Sequence, residues 1–120
     1  MKKGRKISGG RYIQSRKKKL YELPGQKRIV KLGEENKTKS KRIKGANRKT
    51  FLTKAKFVNV KEDKKTKKLE IKNVTETPSN RFLARQNIIT KGTIVETASG
   101  KVKITNRPTQ EGVLNGILVK

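Results

Sequence analysis

The chain contains no cysteine, no histidine and no tryptophan, and only 9 of its 120 residues are acidic. Without cysteine, neither a disulfide framework nor a thiolate zinc site can form within it, which suits a reducing compartment. Without histidine, the commonest general acid–base group and metal ligand is missing. The acids Glu22, Glu34, Glu35, Glu62, Asp63, Glu70, Glu76, Glu96 and Glu111 show no metal-ligand spacing. Glu34-Glu35 and Glu62-Asp63 are adjacent pairs, and an extended backbone sends successive side chains to opposite sides. A G-x-x-x-x-G-K-[ST] phosphate loop is also absent. These gaps argue against an enzyme, a metal site, a cofactor or a small-molecule substrate. No apolar run approaches the roughly 20 residues of a membrane-spanning helix, so no membrane partner is expected. The start Met1-Lys2-Lys3-Gly4-Arg5-Lys6 has the basic front of a signal peptide. No apolar stretch follows it, so the expected location is cytoplasmic.

What the chain does have is positive charge. Lys and Arg supply 34 residues, for a net charge of +25. That excess repels itself unless a polyanion offsets it. Its placement is uneven. Met1 to Lys19 holds nine cations and no acid, Asn36 to Lys61 holds ten and no acid, and Arg81 to Lys120 holds seven. Hydrophobic residues make up 30% of the chain, so any core is small. The apolar residues gather after Thr50. The expected organisation is an extended basic arm over residues 1–26 and one folded domain over residues 27–120.

Within the arm, Gly4, Gly9, Gly10, Pro24 and Gly25 interrupt the cations and apolar periodicity is missing. From Lys27 the texture is that of strands. Lys27–Leu32 reads as a short strand closed by Gly33, and Glu34–Ser40 as a polar loop. Arg42-Ile43-Lys44 leads into a Gly45-Ala46-Asn47 turn. Thr50–Val60 reads as one strand rich in β-formers. The charged run Lys61–Lys67 reads as a hairpin loop. Lys64, Lys65, Lys67 and Lys68 near Glu62, Asp63 and Glu70 form a solvated face. Leu69 and Ile71 alternate with Glu70 and Lys72, the pattern of a half-buried strand. Thr77-Pro78-Ser79-Asn80 predicts a helix start, with Thr or Ser capping a helix over about residues 78–86. That helix would turn Phe82 to the core and put Arg81 and Arg85 on one face. Further strands follow at Ile88–Thr90, Thr93–Thr97, Lys101–Thr105 and Val113–Val119. The expected fold is all-β, a small antiparallel barrel of about six or seven strands with one short helix.

Polyanion binding needs cations dense enough to displace condensed counterions, and both acid-free stretches have that density. They supply Lys2, Lys3, Arg5, Lys6, Arg11, Arg16, Lys17, Lys18 and Lys19, then Lys39, Lys41, Arg42, Lys44, Arg48 and Lys49, as candidate contacts. Lys dominates the arm, which favours backbone neutralisation over base reading. Only five aromatics exist, so no broad base-stacking platform is expected. Phe51, Phe57 and Phe82 are expected in the core; Tyr12 and Tyr21 in the arm are the better stacking candidates.

Several segments together are similar to one family. Lys6-Ile7-Ser8-Gly9-Gly10-Arg11, followed by Arg16-Lys17-Lys18-Lys19-Leu20-Tyr21-Glu22-Leu23, resembles the N-terminal signature of the archaeal and eukaryotic small-subunit ribosomal protein family S-eight-e. Gly45-Ala46-Asn47-Arg48-Lys49 resembles its G-x-N-R-K element. Thr77-Pro78-Ser79-Asn80-Arg81, continuing to Arg85-Gln86-Asn87-Ile88-Ile89-Thr90-Lys91-Gly92, is similar to its N-P-A-N-R…R-N-I-I-T-K-G segment. Thr105–Gly112 resembles its T-S-R-P-G-Q-D-G loop. The matches run through almost the whole chain in the family's order, at the length of the compact archaeal form. Two departures stand out: Leu23-Pro24 where Leu-Gly is more usual, and Thr109 where Gly is frequent.

The resemblance implies a β-barrel with a basic extension, acting structurally in the small ribosomal subunit and touching neighbouring subunit proteins. It implies ribosomal RNA contacts at Lys6, Ser8, Gly9, Gly10, Arg11, Arg16, Lys17, Lys18, Lys19, Asn47, Arg48 and Lys49. Arg81, Arg85, Lys91 and Arg107 are lesser implied contacts. A DNA-compacting chromatin protein shares the composition and is the alternative. An RNA hydrolase or ligase is disfavoured by the missing histidine and paired acids.

Overall fold

The computed structural model describes residues 4–12, 16–62 and 65–119. Eight strands and one short helix follow in order. They are β1 (Lys31–Leu32), β2 (Lys37–Arg42), β3 (Arg48–Ala55), β4 (Phe57–Glu62), β5 (Lys65–Glu76), α1 (Arg81–Arg85), β6 (Ile94–Thr97), β7 (Gly100–Ile104) and β8 (Asn115–Leu118). The fold is all-β with a barrel, as the sequence predicts, but the strands are divided differently. A closed barrel uses β4-β5-β6-β7-β8, and a separate three-stranded sheet has the order β1-β3-β2. The barrel's neighbours are antiparallel except at the closing seam, where β4 and β8 run parallel.

Alternation explains the barrel. Val58 and Val60 of β4, Val95 of β6, and Val102 and Ile104 of β7 point inward and are buried, while their neighbours face water. On β5 the inward positions are Ile71 and Val74, and the period of two fails there because the register slips on either side of Asn73 and Val74. Such slips bend a strand, which a small closed barrel requires. Leu114, Ile89, Val30, Leu52 and Ala55 complete the core cluster. Gly116 faces inward on β8, where a Cβ would lie 2.4 Å from Val102 Cγ1 and 3.0 Å from the Lys103 carbonyl oxygen. Only glycine lets β8 approach β7 that closely.

The expected strand Thr50–Val60 is two strands in different sheets, broken at Lys56. The cause is Asn36, whose Oδ1 accepts from the backbone N–H of Lys56 at 2.7 Å and of Phe57 at 3.2 Å. A side chain thus replaces the ladder partner where the chain leaves one sheet for the other. The segment after α1 is tied to the chain around β1. Ile89 N–H donates to the Val30 carbonyl at 2.8 Å, and Leu32 N–H to the Asn87 carbonyl at 2.9 Å. Ile88–Thr90 is therefore no strand, only a single bridge from Ile88 to Lys31. Likewise Lys27–Leu32 shortens to β1, and Glu34–Ser40, expected as a loop, contains most of β2. All six β2 residues are exposed, so no apolar alternation marks that strand.

The helix is shorter than expected and starts at a different cap. Asn80 Oδ1 accepts from Phe82 N–H at 2.9 Å, while Thr77 and Pro78 form the preceding turn. Its five residues turn Leu83 and Ala84 inward and leave Phe82 63% exposed. The expectation that the three Phe are core is corrected on all counts. Phe51 and Phe57 are half-buried, lying beneath cations instead of within the cluster.

The molecule extends 66 × 34 × 28 Å with a radius of gyration of 20.9 Å. A compact chain of this length would have about 13–14 Å. The described residues before Val30 account for the difference: none is buried, and Val30 is the first to enter the core.

Candidate nucleic-acid interface

The N-terminal segment holds its cations in short local structures. Arg5 and Arg11 form a β-bridge around a tight turn closed by Lys6 N–H to the Gly10 carbonyl at 2.9 Å. Gly9 carries φ +78 in that turn, where a side chain would be strained. Ser8, Gly9 and Gly10 thus fold back so that Arg5, Lys6 and Arg11 project from one small hairpin. Lys6 Nζ lies 5.9 Å from the Tyr12 ring centroid, and Lys19 Nζ the same distance from Tyr21. Lys17 and Lys18 are exposed. Lys2 and Lys3 lie outside the described residues.

Arg16 differs from its neighbours. It forks onto Glu22 with contacts of 2.5 and 2.8 Å, and Glu22 also accepts from the Lys19 N–H at 3.0 Å. The Arg16 guanidinium, and secondarily that N–H, hold the Glu22 carboxyl below its ordinary value of 4.5. The expectation that the arm's cations have no acid nearby is therefore corrected at Arg16, which has one six residues on.

The second cluster is a ribbon made by β2 and β3. Its turn, Ile43–Asn47, closes with Ile43 N–H to the Asn47 carbonyl at 2.8 Å, and Gly45 and Ala46 both take positive φ. The register sets Lys41 opposite Lys49, Arg42 opposite Arg48 and Lys37 opposite Lys54. Directly opposed side chains share a face, and like charges placed so are destabilising. Lys39 and Lys41 are two apart and so share a face with Lys49; Arg42 and Arg48 occupy the other. Asn47 and Lys44 sit in the turn, with Asn47 Nδ2 3.5 Å from the Lys44 carbonyl. Among the described residues, the ion pairs are Arg16–Glu22, Lys56–Glu70 and Lys67–Glu62, and none reaches this ribbon.

The remaining predicted residues do not converge with the ribbon as a group. Arg81 and Arg85 sit exposed on α1, and Lys91 on the turn before β6. Arg107 opens a loop that packs along the part of β3 that short β1 leaves unpaired, since Leu52 N–H is shared between the carbonyls of Pro108 (3.1 Å) and Glu111 (3.3 Å). Sequence reasoning passed over Arg28, Lys31, Lys37 and Lys54. The register alone brings the last three together: Lys31 of β1 faces Lys54 of β3, which faces Lys37 of β2.

The geometry is thus a cationic ribbon and a cationic tail carried by a neutral-cored barrel. The model of the family described as ribosomal protein S8e matches residues 1–119. The chain belongs to that family. It is 46% identical to the small ribosomal subunit protein eS8 of Nanoarchaeum equitans, covering 97% of this chain and 92% of the relative. The eS8 protein of Staphylothermus marinus is also 46% identical, with the same coverage. That of Sulfolobus acidocaldarius is 39% identical over 118 residues, again with 97% and 92% covered.

Proposed function

We propose that this S8e chain is a structural, non-catalytic constituent of the small subunit of the cytoplasmic ribosome. In this reading it binds ribosomal RNA by neutralising phosphates through an arm over residues 1–26 and through the β2–β3 ribbon. The observation that carries the reading is the stacking of like charges across the ribbon. Lys41 against Lys49 and Arg42 against Arg48 weaken the free protein, so a polyanion is what makes the arrangement favourable. Each phosphate met by one of these cations releases a condensed counterion, and RNA strands can then pack closely around the barrel. The barrel's task is to fix where the cations sit. Neighbouring small-subunit proteins are the further partners.

The test is salt dependence of binding to small-subunit ribosomal RNA. With about ten phosphates contacted, log affinity should fall against log salt with a slope of about −7 to −9. A flat dependence refutes the reading. Removing residues 1–26 should leave the barrel folded while reducing that slope, because no described residue in that span is buried. An unfolded deletion product would show that the arm boundary is misplaced. Equal preference for duplex DNA in competition would favour a chromatin role instead.

A further inference from the structure

Beside the ribbon, Arg28 lies over the ring of Phe51 with its guanidinium carbon 4.1 Å from the centroid. That distance is well within the range of cation–π contact. Phe51 is directly opposite Lys39 in the β2–β3 register. Lys39 in turn lines a shallow depression of about 280 Å³ together with Ile29, Lys31, Lys37, Thr53 and Lys54. Thr53 is pinned there by its Oγ1 donating to the Lys37 carbonyl at 2.9 Å. The register slips between Lys37 and Thr38, which brings Thr53 and Lys54 to the same side of β3. The stack and the depression therefore share one face and meet at Lys39.

Four lysines line one depression, three of them in a cross-strand row whose like charges cost stability, and Glu34 and Glu35 line an adjoining hollow with Lys37 and Lys54. None of the ion pairs among the described residues involves these lysines. Arg28 is itself exposed, so its side chain is accessible from solvent while it contacts Phe51. Its Nη1 also makes a long, 3.5 Å contact to the Thr109 carbonyl, which limits rotation of the plane. A planar cation held beside a ring and accessible to solvent suits a flat π-system, and adjacent lysines suit phosphate.

We infer that this face is a nucleotide site: an unpaired RNA base stacks on Arg28, and its flanking phosphates lie along Lys31, Lys37, Lys39 and Lys54. The inference rests on the RNA-binding reading above and makes it more specific, since continuous duplex has no free base to offer. Arg28 is then a base-contacting residue, and Phe51 a positioning residue that holds its plane.

The experiment uses the full chain, its Arg28→Lys variant and a Lys37→Gln/Lys54→Gln double variant. The probes are an RNA stem-loop with 2-aminopurine in the loop and a fully paired RNA duplex of equal length. Stacking of the loop base on the wild-type protein should change 2-aminopurine fluorescence. Arg28→Lys keeps the charge but loses the plane, and should weaken stem-loop binding on the order of 5- to 100-fold, the range for one stacked base. Its duplex binding should stay within about twofold, because phosphate contacts are unaffected. The double variant should weaken both RNAs and reduce the salt slope by about 1.4, two contacts at about 0.7 each. Arg28→Lys losing both RNAs equally, or neither, would overturn the inference while leaving RNA binding intact. Polyglutamate displacing the stem-loop as well as RNA does would overturn it in favour of an acidic protein. A wild-type protein with salt-insensitive binding to both probes would instead refute the underlying function.

Discussion

Replacing Lys49 by Glu should stabilise the free protein and weaken its hold on RNA, two effects of opposite sign from one change. Lys49 is half-buried on β3 and stands directly opposite the exposed Lys41 of β2. Opposed Cβ atoms on an antiparallel ladder are about 5 Å apart. Two unit charges at about 5 Å in water interact by about 0.8 kcal/mol. Screening at physiological salt, with a Debye length of about 8 Å, leaves about 0.4 kcal/mol. Reversing one charge converts that repulsion to a similar attraction, so the ribbon should gain about 0.5–1 kcal/mol. Lys and Glu are both poor strand formers, so backbone preference contributes little. At this chain length the gain corresponds to a rise in Tm of about 2–6 °C. Lys49→Gln removes the repulsion without adding attraction and should give about half.

Binding should move the other way. If Lys49 neutralises a phosphate, the Gln variant reduces the salt slope by about 0.7–0.9, and the Glu variant weakens affinity further through direct repulsion. Thermal unfolding at low and high salt and filter binding to ribosomal RNA read the two effects on the same preparations. The stability gain should shrink as salt rises, since it is electrostatic. A Glu variant that is destabilised, with RNA binding unchanged, would refute the idea that the ribbon's opposed cations are arranged for a polyanion.

Two other outcomes follow from the same geometry. Gly116→Ala should destabilise the barrel by about 1–3 kcal/mol through overpacking, because the new Cβ meets Val102 Cγ1 at 2.4 Å and backbone at 3.0 Å; combining it with Val102→Ala should cost less than the sum of the singles in denaturant melts, and strict additivity would show that the two do not touch. Glu22 should titrate below its ordinary value of 4.5, so the Arg16–Glu22 clamp is formed at neutral pH and lost as pH falls through that lowered value. Arg16→Gln should return most of the shift in a carboxyl NMR titration, with the Lys19 N–H retaining the rest; an unmoved titration would mean the clamp does not form in solution.

How much could be read beforehand depended on whether apolar residues carried the information. The strands around Val95, Val102 and Ile104 were legible because their inward positions are β-branched and alternate with charge. β2 was not legible, since a strand with every residue exposed has no hydrophobic pattern and lysine disfavours strands. Its existence depends on partner β3 and on the turn at Gly45-Ala46. The break at Lys56 was hidden for a different reason: the decisive group is a distant side chain, Asn36, and no local propensity reports it. Phe82 misled because a five-residue helix can turn only one narrow face inward, and Leu83 and Ala84 take it. On the candidate interface, acid-free runs pointed to the arm and to Lys39–Lys49. The row Lys31–Lys54–Lys37 was invisible, because residues so far apart in sequence are neighbours only through register.

The separation of core from charge has a mechanical consequence. A sheet whose rows carry like charges on both faces should not hold together alone. It holds because β3 continues directly into β4, with Leu52 and Ala55 set into the same cluster as Val58 and Val60. On the opposite edge, Val30 enters that cluster just before β1, and its carbonyl is tied to Ile89. The apolar anchors thus lie at the barrel end of the ribbon, near Lys54, while the repelling pairs Lys41–Lys49 and Arg42–Arg48 lie at the turn end, beyond any buried residue. Local stability should therefore fall steadily from Ala55 toward Gly45 in the free protein. A polyanion that neutralises the turn end would add stability where the core supplies none. Amide exchange along β3 should then slow most at Arg48–Thr50 when RNA binds, and least at Leu52–Ala55, which the core already protects. Uniform protection along the strand would mean that the ribbon is as rigid free as bound, and that its opposed cations cost the fold nothing.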